Sequence, residues 1–288
     1  MPYFSIIIPV YNRPDEVNDL LESLSKQTYK DFEVIIVEDG STVCCADAVK
    51  RYASIVDIHN YGLERAVGSY FIFFYSDCVI PEGYFEALNA VLNRHYTDCF
   101  GGPDAAHDSF SDVQKAINYS MTSFLTTGGI RGGKVQLEKF TPRTFNMGFS
   151  REVYARVGGF REMFSEDIDM STRIRQAGFG ISLIRDAFVY HKRRISMRLF
   201  FRQIYIFGMS RISLYLLYPD TLKLVYLFAV FLVSWCVNKR LKIAALSVVA
   251  SIIQLGGYGM GFLKAFFYKV LLGRGRDEAE EVRLRKGK

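Results

Sequence analysis

The sequence predicts an α/β fold, a mostly parallel sheet wound with helices on both faces, and three observations carry the prediction. Apolar runs of strand length alternate with segments of helical periodicity, the runs end in short polar turns, and carboxylates sit in those turns. Phe4–Ile8 is continuous and rich in β-branched residues, the pattern of a parallel strand covered on both faces. Pro14 then suits the first turn of a helix, and Val17, Leu20, Leu21 and Leu24 recur at helical spacing. Phe32–Val37 reads as a second buried strand and runs into Glu38-Asp39-Gly40-Ser41. A helical stretch around Ala46–Tyr52 precedes a weaker strand near Ile55–Ile58. Tyr70–Phe74 is another strand, ending at Ser76-Asp77-Cys78, and Pro81 introduces the next helix. In such sheets ligands bind beyond the carboxyl ends of the strands, where Asp39 and Asp77 both fall.

A chain of 288 residues accommodates one large core and an appendage. The sequence divides accordingly: a mixed α/β domain over 1–194, an interfacial amphipathic helix over 195–219, an apolar stretch over 220–272 and a basic tail over 273–288. Arg198 and Arg202 lie one turn apart among aromatic residues, which suits a helix lying at a membrane surface. Ile243–Leu263 carries no charge over the roughly 20 residues that a spanning helix needs, and Leu224–Val237 is uncharged but shorter. A transmembrane hairpin is therefore expected, returning the basic tail to the cytoplasmic side. The net charge of +6 is concentrated beside this apolar stretch, which points to anionic lipid and away from nucleic acid. Five cysteines without CxxC spacing fit neither a disulfide framework nor a zinc site. Met1–Val10 lacks the features of a signal peptide, so the expected location is the cytoplasmic membrane with the α/β domain facing the cytoplasm. Gly128–Gly133 has neither the spacing nor the context of a dinucleotide fingerprint.

Phe4-Ser-Ile-Ile-Ile-Pro-Val-Tyr-Asn12 followed by Val34-Ile-Ile-Val-Glu-Asp-Gly-Ser41 resembles the nucleotide-diphospho-sugar transferases called family 2 glycosyltransferases. The resemblance runs over roughly residues 4 to 191 and implies a GT-A-like fold. It also implies an inverting transfer from a nucleotide-sugar, a UDP-sugar first among them, to a lipid-linked or cell-envelope glycan acceptor. By the same resemblance Pro9, Tyr11, Asn12, Asp39 and Asn60 line the nucleotide site. Ser76-Asp77-Cys78 is similar to the family's metal-binding DxD element, with Asp77 as its last carboxylate and Tyr75 standing at the first acidic position. Asp77 and His191 would then hold Mg²⁺ or Mn²⁺. Ser165-Glu-Asp-Ile-Asp169 resembles the family's Glu-Asp pair, which makes Asp167 the catalytic base and Glu166 its neighbour in the acceptor site. Asp169 reads as a helix-capping or solvated residue, and Arg193 and Arg194 as phosphate or headgroup partners. Ser54–Gly62 is shorter than the corresponding family segment, with His59 at the usual arginine position. Tyr75 and this shortening motivate the alternative of an inactive nucleotide-sugar-binding scaffold in a glycan-assembly complex. A homo-oligomer is compatible with the sequence.

Overall fold

In a computed structural model the run Phe4–Val10 forms β1, flanked by β2 (Phe32–Glu38) and β4 (Tyr70–Phe74), both parallel to it. Residues 3–38, 40–52, 56–59, 62–123, 140–218 and 237–271 are described. The remaining strands are β3 (Val56–His59), β5 (Cys78–Val79), β6 (Cys99–Gly101), β7 (Asp104–Ala105), β8 (Asn146–Ser150), β9 (Ile181–Leu183) and β10 (Val189–His191). Seven of the strands make one sheet in the order β3-β2-β1-β4-β8-β6-β9, in which β8 alone runs against its neighbours. A second sheet, β5-β10-β7, has three short strands.

The central position of β1 explains its composition. Phe4, Ile6, Ile7, Ile8 and Val10 are all buried. Ser5 is tolerated there because its hydroxyl donates to Glu33 Oε1 at 2.5 Å and accepts from the Gly68 N–H at 2.8 Å. A Cβ on Gly68 would lie 2.6 Å from that hydroxyl, so only glycine allows the approach. Pro9, which cannot donate to a ladder, falls beyond the last β1–β4 pair, Ile7↔Phe73.

Helix α1 (Pro14–Ser25) starts on Pro14, carries Asp15 and Glu16 in its first turn, and buries Val17, Leu20, Leu21 and Leu24. Burial of each such side chain contributes about 1.5–3 kcal/mol, and Leu20→Ala would cost roughly 2–5 kcal/mol. The short helices α2 (Ala46–Lys50) and α3 (Gly62–Arg65) precede α4 (Tyr84–Arg94), which buries Tyr84, Phe85, Leu88 and Leu92. These residues and the strands share one apolar core.

The chain divides into two compact units, and the strands belong to one of them, Met1–His107 with Phe140–Gly159 and Met170–Lys192. The other comprises Asp108–Lys139, Phe160–Asp169 and Arg193–Lys288. It contains α5 (Asp112–Thr122), opened by a Ser111–Gln114 capping box. After α6 (Arg151–Val157) of the sheet unit and α7 (Glu166–Gln176) come two long helices, α8 (Met197–Leu217) and α9 (Leu241–Ala265). Ile117 and Met121 of α5 cluster with Phe200 and Ile204 of α8 and Ala250 of α9.

Two expectations change here. Helix α8 forms where the interfacial helix was expected, but Phe200, Ile204, Ile206, Met209 and Leu214 are buried on several of its sides, unlike a one-sided amphipath. The transmembrane hairpin over 220–272 is not supported: among the described residues no helix is long and apolar enough to cross a membrane. Its first arm lies outside those residues. The second arm, Ile243–Leu263, falls within α9. The basic tail, 273–288, also lies outside the described residues, as does the glycine-rich segment at 128–133.

Candidate active site

The carboxyl ends of β1, β2 and β4 lie side by side because the three strands are parallel neighbours. At the end of β1 the backbone of Asn12 turns left-handed, with φ of 54°, a conformation asparagine tolerates better than most residues. Its side-chain oxygen accepts from the Thr42 N–H at 2.7 Å and the Val43 N–H at 2.9 Å, while its own N–H donates to Ser41 Oγ at 3.0 Å. Asn12 thus clamps the loop that follows β2. Glu38 closes the loop from the other side by accepting the Cys45 N–H at 2.8 Å. Burial pushes the Glu38 carboxyl up, but hydrogen bonds from the Cys45 thiol, Ser41 and the Cys45 amide outweigh it and hold the group below its ordinary value. Burial and the same carboxylate push the Cys45 thiol up to about 12.

Beyond β4, Asp77 is 8% exposed and His191 9%. The antiparallel register Cys78↔His191 brings the two together, reinforced by a bond from the Lys192 N–H to the Asp77 carbonyl at 2.9 Å. His191 Nε2 stands 3.2 Å from Asp77 Oδ1. On its other side Nδ1 lies 3.8 Å from Asp104 Oδ2, since β7 runs beside β10. The imidazole therefore sits between two buried carboxylates, against the Phe145 ring at 4.5 Å. Arg13 Nη1 approaches Asp77 Oδ2 at 3.7 Å. The ligand atoms of Asp77, Cys78 and His191 lie within 4.8 Å of one another. Cys78 Sγ also donates to the Phe145 carbonyl at 3.6 Å, which leaves the carboxylate and the imidazole as the better donors for a divalent ion.

In the second unit, Glu166 and Asp167 open α7 and are half-buried. Ser165 before them has a φ of 67°, and one Asp167 oxygen accepts the Ile168 N–H at 2.8 Å. Asp169 is not a solvated cap. It is fully buried, held by Arg161 Nη1 at 3.1 Å and by the Tyr218 hydroxyl at 2.7 Å. Arg193 also differs from expectation: it is buried, its Nε donates to Asn118 Oδ1 at 3.2 Å, and its carbonyl accepts from Gln114 at 3.0 Å.

Of the residues expected to bind nucleotide, Asp39 and Asn60 lie outside the described residues. Pro9 is exposed and Tyr11 half-buried at the end of β1. Asp104, Arg13 and Glu16 were not anticipated. No motif marks Asp104 or Glu16, and their relevance emerges only from the strand pairings.

Residues 5–158 match the glycosyl transferase family 2 model. The glycosyltransferase AglE of Haloferax volcanii is 21% identical over 262 residues, covering 81% of this chain and 80% of AglE. The poly(ribitol-phosphate) beta-N-acetylglucosaminyltransferase TarS of Staphylococcus aureus is 29% identical over 115 residues, 34% of this chain and 20% of TarS. Among solved structures, the mannosyltransferase PcManGT of Pyrobaculum calidifontis, in complex with GDP-Man and Mn²⁺, superposes with a TM-score of 0.56 at 14% identity, covering 99% of this chain and 80% of that one. TarS residues 1–349 with UDP-GlcNAc gives 0.51 at 16% identity, covering 95% and 93%. At these identities the structural likeness concerns the fold, a mixed α/β GT-A-like arrangement with a central sheet.

Proposed function

The chain belongs to the family 2 glycosyltransferases and is a sugar-transferring enzyme, and from that premise we propose that it moves a sugar from a nucleotide-diphospho-sugar to a lipid-linked or cell-envelope glycan acceptor with inversion at the anomeric carbon. The observation that carries this reading is the buried Asp77–His191 pair at the strand ends, beside the loop clamped by Asn12. A carboxylate and an imidazole fit Mn²⁺ better than Mg²⁺, which prefers an all-oxygen octahedron. When bound, such an ion neutralises the charge that develops on the departing diphosphate. The chain's own part is to hold the site: Asp104 orients His191, and Phe145 shields one face of the imidazole from water. Asn12 and Glu38 shape the loop from Ser41 to Cys45 for the nucleotide.

Asp167 acts as the base that takes the acceptor hydroxyl proton, its carboxylate oriented by the Ile168 N–H, with Glu166 beside it for the acceptor. UDP- and GDP-sugars are the donors to try first, because TarS is solved with UDP-GlcNAc and PcManGT with GDP-Man.

The enzyme works at the cytoplasmic face of a membrane, and α9 supports this. Its packed side holds Ile243, Ser247, Ala250, Gly261 and Ala265. A Cβ on Gly261 would run into the Tyr205 backbone, so this side is fitted by small residues. The outward side carries large apolar residues, Leu241 at 62% exposed and Leu263 at 65% with Val249 and Met260, beside Lys242, Ala245 and Gly256, and the following turn adds Phe266 and Phe267. Large apolar side chains on the outward side, opposite a packed side that includes Ser247, Ala250 and Gly261, suit a helix that meets lipid.

Incubating the protein with a panel of UDP- and GDP-sugars, Mn²⁺ and a membrane-lipid extract tests the reading. One donor should give a glycosylated lipid with inverted anomeric configuration by NMR, absent with Asp167→Asn. A retained configuration, or turnover within a few-fold of the parent in that variant, would remove the single-displacement assignment.

A further inference from the structure

The DxD-like element of this chain has Tyr75 where an acid is expected, yet a second carboxylate touches that element from α1, next to the Asp77, Cys78 and His191 cluster though not within its 4.8 Å spacing. Glu16, in the first turn of α1, accepts the Ser76 hydroxyl at 3.3 Å, so it touches the residue adjoining Asp77. Arg13 Nη1 lies 2.5 Å from Glu16 Oε2 and 3.7 Å from Asp77 Oδ2, one guanidinium between two carboxylates. The arrangement follows from topology. β1 and β4 are parallel neighbours, so the segment leaving β1 through the left-handed Asn12 comes down beside the segment leaving β4.

A plainer account gives Glu16 two local roles, favouring the positive end of the helix and pairing with Arg13 one turn away. Both explain an acid at position 16. Neither explains its contact with Ser76.

We infer that Glu16 supplies the second carboxylate of the divalent-cation site, in place of an acid at position 75, and that Arg13 holds Glu16 and Asp77 together and competes with the metal for them. This rests on the reading that Asp77 and His191 bind a divalent ion. A donor set of two carboxylates and an imidazole is harder and more anionic than Asp77 and His191 alone, which suits Mn²⁺. Tyr75 is then free to serve packing, and its ring does lie against Phe145 and His191.

The test is Mn²⁺ binding by the full-length protein, measured by electron paramagnetic resonance with Mn²⁺ alone and with added UDP or GDP. The proteins are the parent, Asp77→Asn, Glu16→Gln, Arg13→Gln and the double variant Arg13→Gln/Glu16→Gln, each checked for folding by circular dichroism. Asp77→Asn reports on the underlying site. Glu16→Gln should weaken Mn²⁺ by about ten-fold, the scale of losing a supporting group at a metal site. Arg13→Gln should tighten it. The double variant separates direct from indirect action. If Glu16 is a ligand, Glu16→Gln weakens Mn²⁺ in the Arg13→Gln background as well. A loss seen only while Arg13 is present would mean that Glu16 merely restrains the arginine, and the inference would fall. Glu16→Asp gives a second check: it keeps the charge opposite Arg13 but shortens the reach, so Mn²⁺ should again weaken, and unchanged affinity would overturn the role. If the parent bound no Mn²⁺, or Asp77→Asn matched it, the cation site itself would be lost. Loss in Asp77→Asn with no loss in Glu16→Gln would overturn this inference alone.

Discussion

The two units both bury an apolar core but differ in what else they bury and what they leave outside. In the sheet unit a mostly apolar interior also holds single polar residues such as Ser5 and Gln27, and near the carboxyl ends of β1, β2 and β4 Asp77 and His191 are buried in contact. The helical unit also buries large apolar residues, Ile117, Met121, Phe200 and Ile204, but α9 leaves Leu241, Val249, Met260 and Leu263 outward while Ser247, Ala250 and Gly261 face inward. The first pattern sets one contact between a buried carboxylate and an imidazole apart from isolated, hydrogen-bonded polar groups. The second suits an apolar neighbour. The difference teaches that burial alone does not identify a core; the chemistry of what is buried, and of what is left outside, indicates the solvent each part was built to meet.

The largest predicted effect sharpens the functional side of this contrast. Asp167→Asn should lower transfer by about 10²–10⁴-fold, the usual worth of a general base, with donor binding unchanged by calorimetry. Next, His191→Ala should weaken Mn²⁺ by roughly 10–100-fold, while a core substitution such as Leu88→Ala should lower the melting temperature without that loss. A variant that melted like the parent and bound Mn²⁺ equally would break the claim that the buried pair is a site.

The helical side is tested by Leu263→Asp in a vesicle flotation assay with anionic lipid. Removing one large apolar contact, worth about 1.5–3 kcal/mol, should weaken binding by at least about ten-fold. Ser247→Ala, on the packed side, should leave it unchanged. Equal binding by the Leu263 variant would return α9 to the class of ordinary surface helices.

The smallest effect concerns the loop after β2. The folded Glu38 carboxyl is held below its ordinary value of 4.5, so its stabilising contribution is present above that pH. It is lost as the pH falls through the lowered folded value. Glu38→Gln should therefore melt below the parent at pH 7, and the gap should narrow below pH 4.5. A gap independent of pH would mean that the carboxylate charge has no part in closing the loop.

Much of the sheet unit was legible because its strands are continuous apolar runs. Phe4–Ile8, which the structure extends to Val10, and Tyr70–Phe74 announce themselves, and the polar turn after each run marks a strand end. Asp77 was visible for that reason. The neighbours that complete its surroundings were not. Asp104 is linked to it through His191 and Glu16 through Arg13, because of the β5–β10–β7 register and the β1–β4 adjacency, and no local pattern encodes either. Charge counting alone does not describe α9. The uncharged Ile243–Leu263 reads as a spanning segment by charge alone, but Ser247, Gly257 and Gly261 within it lie on the packed side of α9, and Ser120 donates to Gln254 at 2.7 Å. Asp169 and Arg193 looked like surface residues for the same reason: their partners, Tyr218 and Asn118, lie far along the chain.

The most direct test of the central claim is nucleotide release from UDP- and GDP-sugars by the parent and by Asp77→Asn, each with and without Mn²⁺. The account predicts release from one donor by the parent, dependent on Mn²⁺, and a loss of about 10²–10³-fold in the variant. Release that ignored both the metal and the substitution would contradict it, because the buried Asp77–His191 pair would then have no part in the reaction.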